Sequence, residues 1–193
     1  MLAKRASPQR AHGVANLVRI IGGQYRRRLL NFPDSTGLRP TPDRVRETLF
    51  NWLGQDLPGW TCLDLFAGSG ALGFEAASRG AGRVVMIERD KAALDALEKN
   101  RAALGLGATQ ADIRRADALA WLANNGETFD LIFVDPPFDS GLAATVLADL
   151  ARHLKPGCHA YVEQGAAVIA PPGLIIHRSG HAGHSHFALL IKE

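Results

Sequence analysis

The segment Asp64-Leu-Phe-Ala-Gly-Ser-Gly-Ala-Leu-Gly73 decides the fold of this 193-residue chain. It ends an apolar strand pattern and opens an apolar helical pattern, so it predicts a strand, a tight turn and a helix. Gly68, Gly70 and Gly73 would let the backbone approach a ligand and let the helix pack closely on the strand. The same glycines would also serve a tight turn without a ligand. Their position between a strand and a helix favours a nucleotide site at the end of the strand.

Two acidic residues further along the chain support this interpretation. Glu88 stands 20 residues after Gly68, at the end of the next predicted strand, where a carboxylate can accept both ribose hydroxyl protons of an adenosine. Asp117 follows the third strand and could reach an adenine amino group, although an acidic residue before a helix is also a common N-cap. The glycine spacing satisfies the dinucleotide pattern, so an NAD enzyme is an alternative.

Asp64 favours a different adenosine ligand. A carboxylate four residues before the first glycine would repel a pyrophosphate and would suit the cationic amino group of S-adenosylmethionine. We therefore expect S-adenosylmethionine as the cofactor. The expected cofactor-binding residues are Asp64, Phe66, Gly68, Gly70, Glu88, Arg89, Asp117 and Ala118.

From residue 61 onward, strand and helix patterns alternate, which is typical of a parallel sheet with helices on both faces. The predicted strands are 61–66, 83–88, 112–116, 129–134 and 160–163, and the predicted helices are 71–79, 91–104, 118–124 and 142–153. Two closing strand patterns, 174–177 and 186–191, have no room for a crossover helix between them and should pair antiparallel. The expected fold class is α/β, with a Rossmann-like, mostly parallel sheet, an antiparallel C-terminal hairpin, and a small basic N-terminal β-hairpin and helix.

The N-terminal part of the chain carries most of the positive charge. Residues 1–46 contain ten lysines and arginines and two acidic residues, whereas the rest of the chain contains 12 basic and 17 acidic residues. This asymmetry indicates a polyanionic partner.

Two short strand patterns, 18–21 and 25–32, flank Gly22-Gly23 and predict a small hairpin. A helix is predicted to begin with Thr41 as its N-cap and Pro42 at its first position. We expect three regions: a disordered tail over 1–16, the basic hairpin and helix packed on the core over 17–56, and an S-adenosylmethionine-binding catalytic domain over 57–193.

The segment Asp135-Pro136-Pro137-Phe138 ends the apolar strand pattern 129–134. Two prolines cannot donate to a strand ladder, so the strand must stop in a rigid turn, with a carboxylate before it and an aromatic ring after it. If Asp135 and the Pro136 carbonyl accept the two hydrogens of an amino group, its lone pair is freed for attack on a methyl group. Phe138 would stack on the base that carries this amino group.

This tetrapeptide resembles the motif of the amino methyltransferases that use S-adenosylmethionine, in which Asp or Asn is followed by two prolines and Tyr or Phe. The resemblance implies a class I methyltransferase fold with Asp135, Pro136, Pro137 and Phe138 as the catalytic residues.

Several further segments resemble the bacterial family that methylates a guanine N2 of the small-subunit ribosomal RNA. They are 19–27, 38–41, 43–53, 64–73 and 134–138, so the resemblance runs from about residue 18 to the C-terminus. It implies a 16S ribosomal RNA substrate, within an assembling 30S subunit. The residues expected to bind RNA phosphates are Arg26, Arg27, Arg28, Arg39, Arg44 and Arg46.

Other functions are alternatives at this point. An amino methyltransferase could act on DNA adenine N6, although the chain has no room for a target-recognition domain, or on a protein glutamine, although Asp rather than Asn stands at position 135. A noncatalytic RNA-binding protein of the same fold would have no need of an intact Asp135-Pro-Pro-Phe138 segment. We expect no metal site, no membrane association, a cytoplasmic location and a monomer.

Overall fold

The computed structural model describes residues 16–34, 40–137 and 140–193. The strands in this part are β1 (Asn16–Arg19), β2 (Leu29–Phe32), β3 (Thr61–Asp64), β4 (Arg83–Glu88), β5 (Ala111–Arg115), β6 (Phe129–Val134), β7 (Leu154–Gln164), β8 (Leu174–Ala182) and β9 (Ser185–Lys192). The helices are α1 (Asp43–Trp52), α2 (Ala71–Ser78), α3 (Lys91–Leu104), α4 (Ala118–Asn124) and α5 (Leu142–Leu150), followed by a 3-10 turn at Ala151–His153.

Seven strands form one sheet in the order β5-β4-β3-β6-β7-β9-β8. The strands from β5 to β7 are parallel, and β9 pairs antiparallel with both β7 and β8. The strand order reverses between β3 and β6, and ligands of such sheets bind where the order reverses, beyond the carboxyl ends of the strands. The expected α/β sheet with an antiparallel C-terminal hairpin is confirmed.

Most element boundaries lie within a few residues of those predicted. Two strands are much longer than expected. Strand β7 begins at Leu154 rather than at residue 160 and pairs with β6 through an irregular register near Leu131, and β8 continues to Ala182 rather than ending at residue 177. The predicted helix 142–153 ends at Leu150, and the 3-10 turn completes it.

The N-terminal hairpin has a longer turn than the sequence predicts. Residues 25–28 were expected in the second strand, but β2 begins only at Leu29 and the connection spans 20–28. Arg27 has a φ of 71°, which a strand cannot accommodate. Gly23 also has a positive φ, and a Cβ there would lie 1.9 Å from the Ser78 carbonyl oxygen. The turn is therefore shaped by close contact with the end of α2.

Helix α2 is buried on all sides, with the sheet on one side and the N-terminal hairpin on the other. Its only charged residue, Glu75, is fully buried and accepts four hydrogen bonds. The donors are the backbone N–H groups of Ile21 and Gly22, at 2.8 Å each, and the side chains of Arg46 and Arg79. A carboxylate with two donors on each oxygen is fully satisfied, so burial of its charge is compensated.

The expectation that Arg46 binds RNA is wrong. Its side chain has no exposed surface, and its guanidinium bonds to Glu75, to Asp43 and to the backbone carbonyls of Arg19 and Thr41. All of its donor nitrogens are used inside the protein, so none can reach an external phosphate.

The apolar core is continuous from the hairpin into the sheet, since Val18, Leu49 and Phe74 belong to one buried cluster. The division of the chain at residue 57 stays a prediction. Among the described residues, no helix has the combined length and apolar character that spanning a membrane requires.

We expect Glu75→Gln to destabilise the protein by about 3–5 kcal/mol, because it removes the buried carboxylate that pairs with both Arg46 and Arg79. Urea unfolding of the purified protein measures this loss. Asp95→Asn, which breaks the exposed Lys91–Asp95 pair, is the matched control and should cost at most about 1 kcal/mol. Equal losses in the two variants would show that the buried network contributes little.

Candidate active site

The glycine segment forms a tight loop between β3 and α2. Gly68 and Gly70 have φ values of 49° and 78°, and Gly70 is the N-cap of α2. At Gly73 a Cβ would lie 2.8 Å from the Met86 side chain and 3.0 Å from a carboxylate oxygen of Asp64. Glycine is required at 68 and 70 by backbone conformation, and at 73 by the close packing of α2 on the sheet.

Asp64 ends β3 beneath this loop, and only 2% of its surface is exposed. Its carboxylate accepts the Gly73 N–H at 2.9 Å. Burial raises the pKa of Asp64 to about 7, and the nearby Glu88 carboxylate acts in the same direction.

Glu88 ends β4, beside the loop. One carboxylate oxygen accepts the Gly68 N–H at 2.9 Å, and the other accepts the N–H groups of Arg89 and Asp90 at 2.8 Å each. These bonds fix the carboxylate at the mouth of the loop and leave acceptor capacity on the oxygen that binds Gly68. The Arg89 residue is exposed.

Asp117 and Ala118 begin α4 at the same edge of the sheet, since Glu88 pairs with Arg115 in the parallel ladder. The Asp117 carboxylate accepts the Ala120 N–H at 3.0 Å. Asp117 is therefore the N-cap of α4, which was the alternative to a role in adenine binding. Its second oxygen has no bond within the described residues, so a contact with a ligand stays a prediction.

Asp135 follows β6, which lies between β3 and β7. Its neighbour across the ladder is Glu163, because Val134 pairs with Val162. Glu163 is buried and accepts hydrogen bonds from the hydroxyls of Tyr161 and Ser185. Asp135 accepts a hydrogen bond from the Thr41 hydroxyl at 2.9 Å. After Asp135, Pro136 is buried and Pro137 is exposed.

The site has an excess of buried negative charge. Burial raises the pKa of Asp135 above its usual range, and repulsion from Glu163 and Asp64 adds to this effect. Burial raises the pKa of Tyr161, and the neighbouring carboxylates of Glu163 and Asp135 add to this effect. Within residues 16–34, 40–137 and 140–193, no arginine, lysine or histidine forms an ion pair with Asp64, Asp135 or Glu163. The residues therefore suit a ligand that carries positive charge.

The structure brings the expected cofactor residues together at one edge of the sheet, and Asp135 lies next to them. Arg39 and Phe138, and residues 1–15, lie outside the described residues. Arg44 is exposed at the start of α1, three residues after Thr41.

The three hairpin arginines lie elsewhere. Their turn contacts Ser78 at the end of α2, whereas the glycine loop precedes the start of α2, so the two are separated by about 12 Å along the helix. Arg28 donates to the Ala103 carbonyl in the last turn of α3, a favourable place for a cation. Arg26 and Arg27 are exposed.

Thr41 and Glu163 were not predicted as site residues. Thr41 was expected to cap α1, but Pro42 holds the N-cap position and the Thr41 hydroxyl turns to Asp135. Glu163 carries a weak signal, because it is the acidic residue that follows the apolar run 160–162 in a strand parallel to β6. Asp64 and Glu88 likewise follow apolar runs at the ends of β3 and β4, and this pattern predicts both as site residues.

The chain is similar to known proteins over nearly its whole length. The family model described as "Conserved hypothetical protein 95" matches residues 18–191. Ribosomal RNA small subunit methyltransferase D of Escherichia coli strain K12 is 44% identical over 188 residues, which cover 94% of this chain and 93% of that protein. The Haemophilus influenzae protein of the same name is 46% identical over 150 residues, 76% of this chain and 78% of that protein.

Solved structures give the same result. The Escherichia coli protein yhhF has a TM-score of 0.83 and 43% identity, covering 92% of this chain and 99% of its own. A Thermus thermophilus 16S rRNA N2 methyltransferase, solved with AdoMet and guanosine, has a TM-score of 0.64 at 23% identity and covers 98% of this chain and 53% of its own. This second likeness concerns the fold alone.

Because the pKa of Asp64 is raised in the folded protein, this residue should lower the free energy of unfolding as the pH rises. Between the unfolded pKa, about 4, and the folded pKa, about 7, the folded state holds a proton that the unfolded state has released. We expect the unfolding free energy of Asp64→Asn, measured relative to wild type by urea unfolding, to increase across this window by up to about 1.4 kcal/mol per pH unit. The exposed Asp149→Asn should follow the wild-type pH dependence, and a parallel curve for Asp64→Asn would contradict the burial argument.

Proposed function

The chain belongs to the family of the ribosomal RNA small subunit methyltransferases D, and on this basis we propose that it transfers a methyl group from S-adenosylmethionine to the exocyclic N2 of a guanine in 16S ribosomal RNA. The observation that carries this proposal is the group of three carboxylates, Asp64, Asp135 and Glu163, at the switch point of the sheet. They meet no basic side chain within the described residues.

The cofactor fits this excess of negative charge. When bound, S-adenosylmethionine supplies an electrophilic methyl group on a positively charged sulfur, together with a cationic amino group. Asp64, at the base of the glycine loop, is the carboxylate that we assign to the amino group. Glu88, anchored by three backbone N–H groups, is assigned to the ribose hydroxyls.

Asp135 and the Pro136 carbonyl act on the acceptor nitrogen. The N2 lone pair of guanine is delocalised into the ring, so the nitrogen is a weak nucleophile. Hydrogen bonds from its two N–H groups to Asp135 and to Pro136 hold it where the lone pair can point at the methyl carbon. The new N–C bond takes that lone pair, the electrons of the broken S–C bond stay on sulfur, and the nitrogen becomes cationic.

The nitrogen then loses a proton, and Asp135 is the nearest base. Burial and Glu163 raise the pKa of Asp135, which makes its carboxylate a better proton acceptor than an exposed aspartate. Phe138 is assigned to stacking on the guanine ring.

The RNA is assigned to the basic N-terminal segment. Arg44 is exposed three residues after Thr41, whose hydroxyl bonds to Asp135. Arg26 and Arg27 are exposed in the hairpin turn, which contacts the end of α2 at Ser78, so an RNA that meets all three arginines has to reach both places. Two separate phosphate contacts of this kind suit a folded RNA in an assembling 30S subunit. We assign the reaction to the cytoplasm, where this substrate occurs, and to a monomer.

The decisive experiment supplies labelled S-adenosylmethionine to 16S RNA and to 30S subunits from cells that lack the protein, followed by nucleoside digestion. We expect labelled N2-methylguanosine with wild type. Asp135→Ala should abolish transfer and leave cofactor affinity, measured by calorimetry, within a few-fold. Asp149→Asn, at an exposed position in the last turn of α5, should retain full activity.

Labelled N6-methyladenosine, or labelled protein, would contradict the proposed acceptor. Tighter calorimetric binding of NAD than of S-adenosylmethionine would contradict the proposed cofactor.

RNA binding tests the arginine assignment separately. Arg26→Ala combined with Arg27→Ala should reduce the slope of log affinity against log salt by about 1.5, at about 0.7–0.9 per lost phosphate contact. Filter binding from low to moderate salt measures this slope. The matched control combines Arg114→Ala with Arg152→Ala, because both of these arginines are already paired with carboxylates. An unchanged slope for the hairpin variant would mean that these arginines do not contact phosphates.

A further inference from the structure

One hydrogen bond joins the N-terminal segment to the catalytic loop. The Thr41 hydroxyl donates to Oδ2 of Asp135 at 2.9 Å, across 94 residues of sequence. Thr41 is 5% exposed and lies between Pro40 and Pro42, whose rings restrict the backbone on both sides of it. A buried hydroxyl in a stiff segment is a fixed donor rather than an adaptable one.

The backbone of Thr41 is held in place by Arg46. Its carbonyl accepts a hydrogen bond from Nε of Arg46 at 3.1 Å. The same guanidinium pairs with Glu75, which is fully buried in α2. Glu75, Arg46, Thr41 and Asp135 therefore form a continuous series of contacts from the helix behind the cofactor loop to the catalytic carboxylate.

The bond constrains Asp135 in two ways. It engages Oδ2 and leaves Oδ1 without a partner in the described part of the chain, so Oδ1 is the oxygen available to the substrate amino group. It also favours the ionised carboxylate, because a donor stabilises negative charge.

The other described groups that act on Asp135 have the opposite effect on its charge. Asp64 on β3 and Glu163 on β7 repel the ionised form, and burial disfavours it. The Tyr161 hydroxyl, also on β7, donates to Glu163 instead. Thr41 is thus the donor that opposes these effects from the N-terminal segment.

We propose that Thr41 is a positioning residue for methyl transfer, which orients Asp135 and favours its ionised form through the hydroxyl hydrogen bond. The inference rests on the proposed function, because it assigns Asp135 to the substrate amino group. It also makes transfer depend on the N-terminal segment being docked, since Arg46 and Glu75 hold Thr41 in place.

The test compares Thr41→Val, which keeps the shape and removes the hydroxyl, with Thr41→Ser, which keeps the hydroxyl. Methylation of 30S subunits is measured from about pH 6 to about pH 10. Thr41→Val should lower kcat at neutral pH by about tenfold or more, the usual size for loss of a hydrogen bond to a charged group. The rising limb of its pH profile should move to higher pH, because Asp135 then ionises less readily. The KM for S-adenosylmethionine should not change.

Thr41→Ser should restore both kcat and the pH profile to near wild type. Thr48→Val is the matched control, because the Thr48 hydroxyl is exposed and bonds to the Arg44 carbonyl one turn earlier in α1. Thermal unfolding checks that all three variants are folded. A pH profile for Thr41→Val that superimposes on the wild type, or a Thr41→Ser variant as slow as Thr41→Val, would overturn the proposal.

A second measurement is independent of activity. Carboxyl carbon NMR of protein labelled at aspartate gives the pKa of Asp135 directly, with the resonance assigned by its loss in Asp135→Asn. We expect Thr41→Val to raise this pKa and Thr41→Ser to leave it unchanged, and an unchanged pKa in Thr41→Val would overturn the inference. If wild type methylates no guanine, the proposed function fails, while this titration still decides whether Thr41 acts on Asp135.

Discussion

The buried carboxylate of Glu75 is the constraint on which the rest of the structure depends. An ion in the interior has lost its water, so every lone pair needs a donor from the protein. Two of the four donors are backbone N–H groups of Ile21 and Gly22, and a third is Arg46. Helix α2 therefore cannot be buried as it is without the N-terminal hairpin and α1. The hairpin is part of the framework that supports the glycine loop.

The sheet could be predicted from the sequence because its signals are local. Each central strand is an apolar run that ends in glycine, proline or an acidic residue, as in 61–73 and 129–137. The acidic residues that end β3 and β4, together with Asp135, could be predicted as site residues for the same reason. Parallel strands have their carboxyl ends at one edge of the sheet. These side chains could therefore be predicted to lie at the same edge without knowledge of the strand order.

The remaining features depend on residues far apart in the chain. Arg46 and Arg44 both lie in the first turn of α1, but the guanidinium of Arg46 is buried against partners on other elements, among them Glu75, 29 residues later, whereas Arg44 is exposed. The hydroxyl of Thr41 had two competing uses, a helix cap nearby or Asp135 at a distance of 94 residues. Tertiary packing selected the distant partner, which no periodicity or propensity records. The long turn of the hairpin has the same origin, in its contact with Ser78.

The position of the hairpin against α2 and α3 also sets an order of events during synthesis. A two-stranded ribbon is at best marginally stable by itself. Ile21 and Gly22 find their acceptor only when Glu75 has left the ribosome, and Asn31 finds its partner only at Asn100. About half of the chain must therefore emerge before its first strands can settle. Until then the newly made segment is an unfolded, positively charged peptide beside the ribosome that is making it.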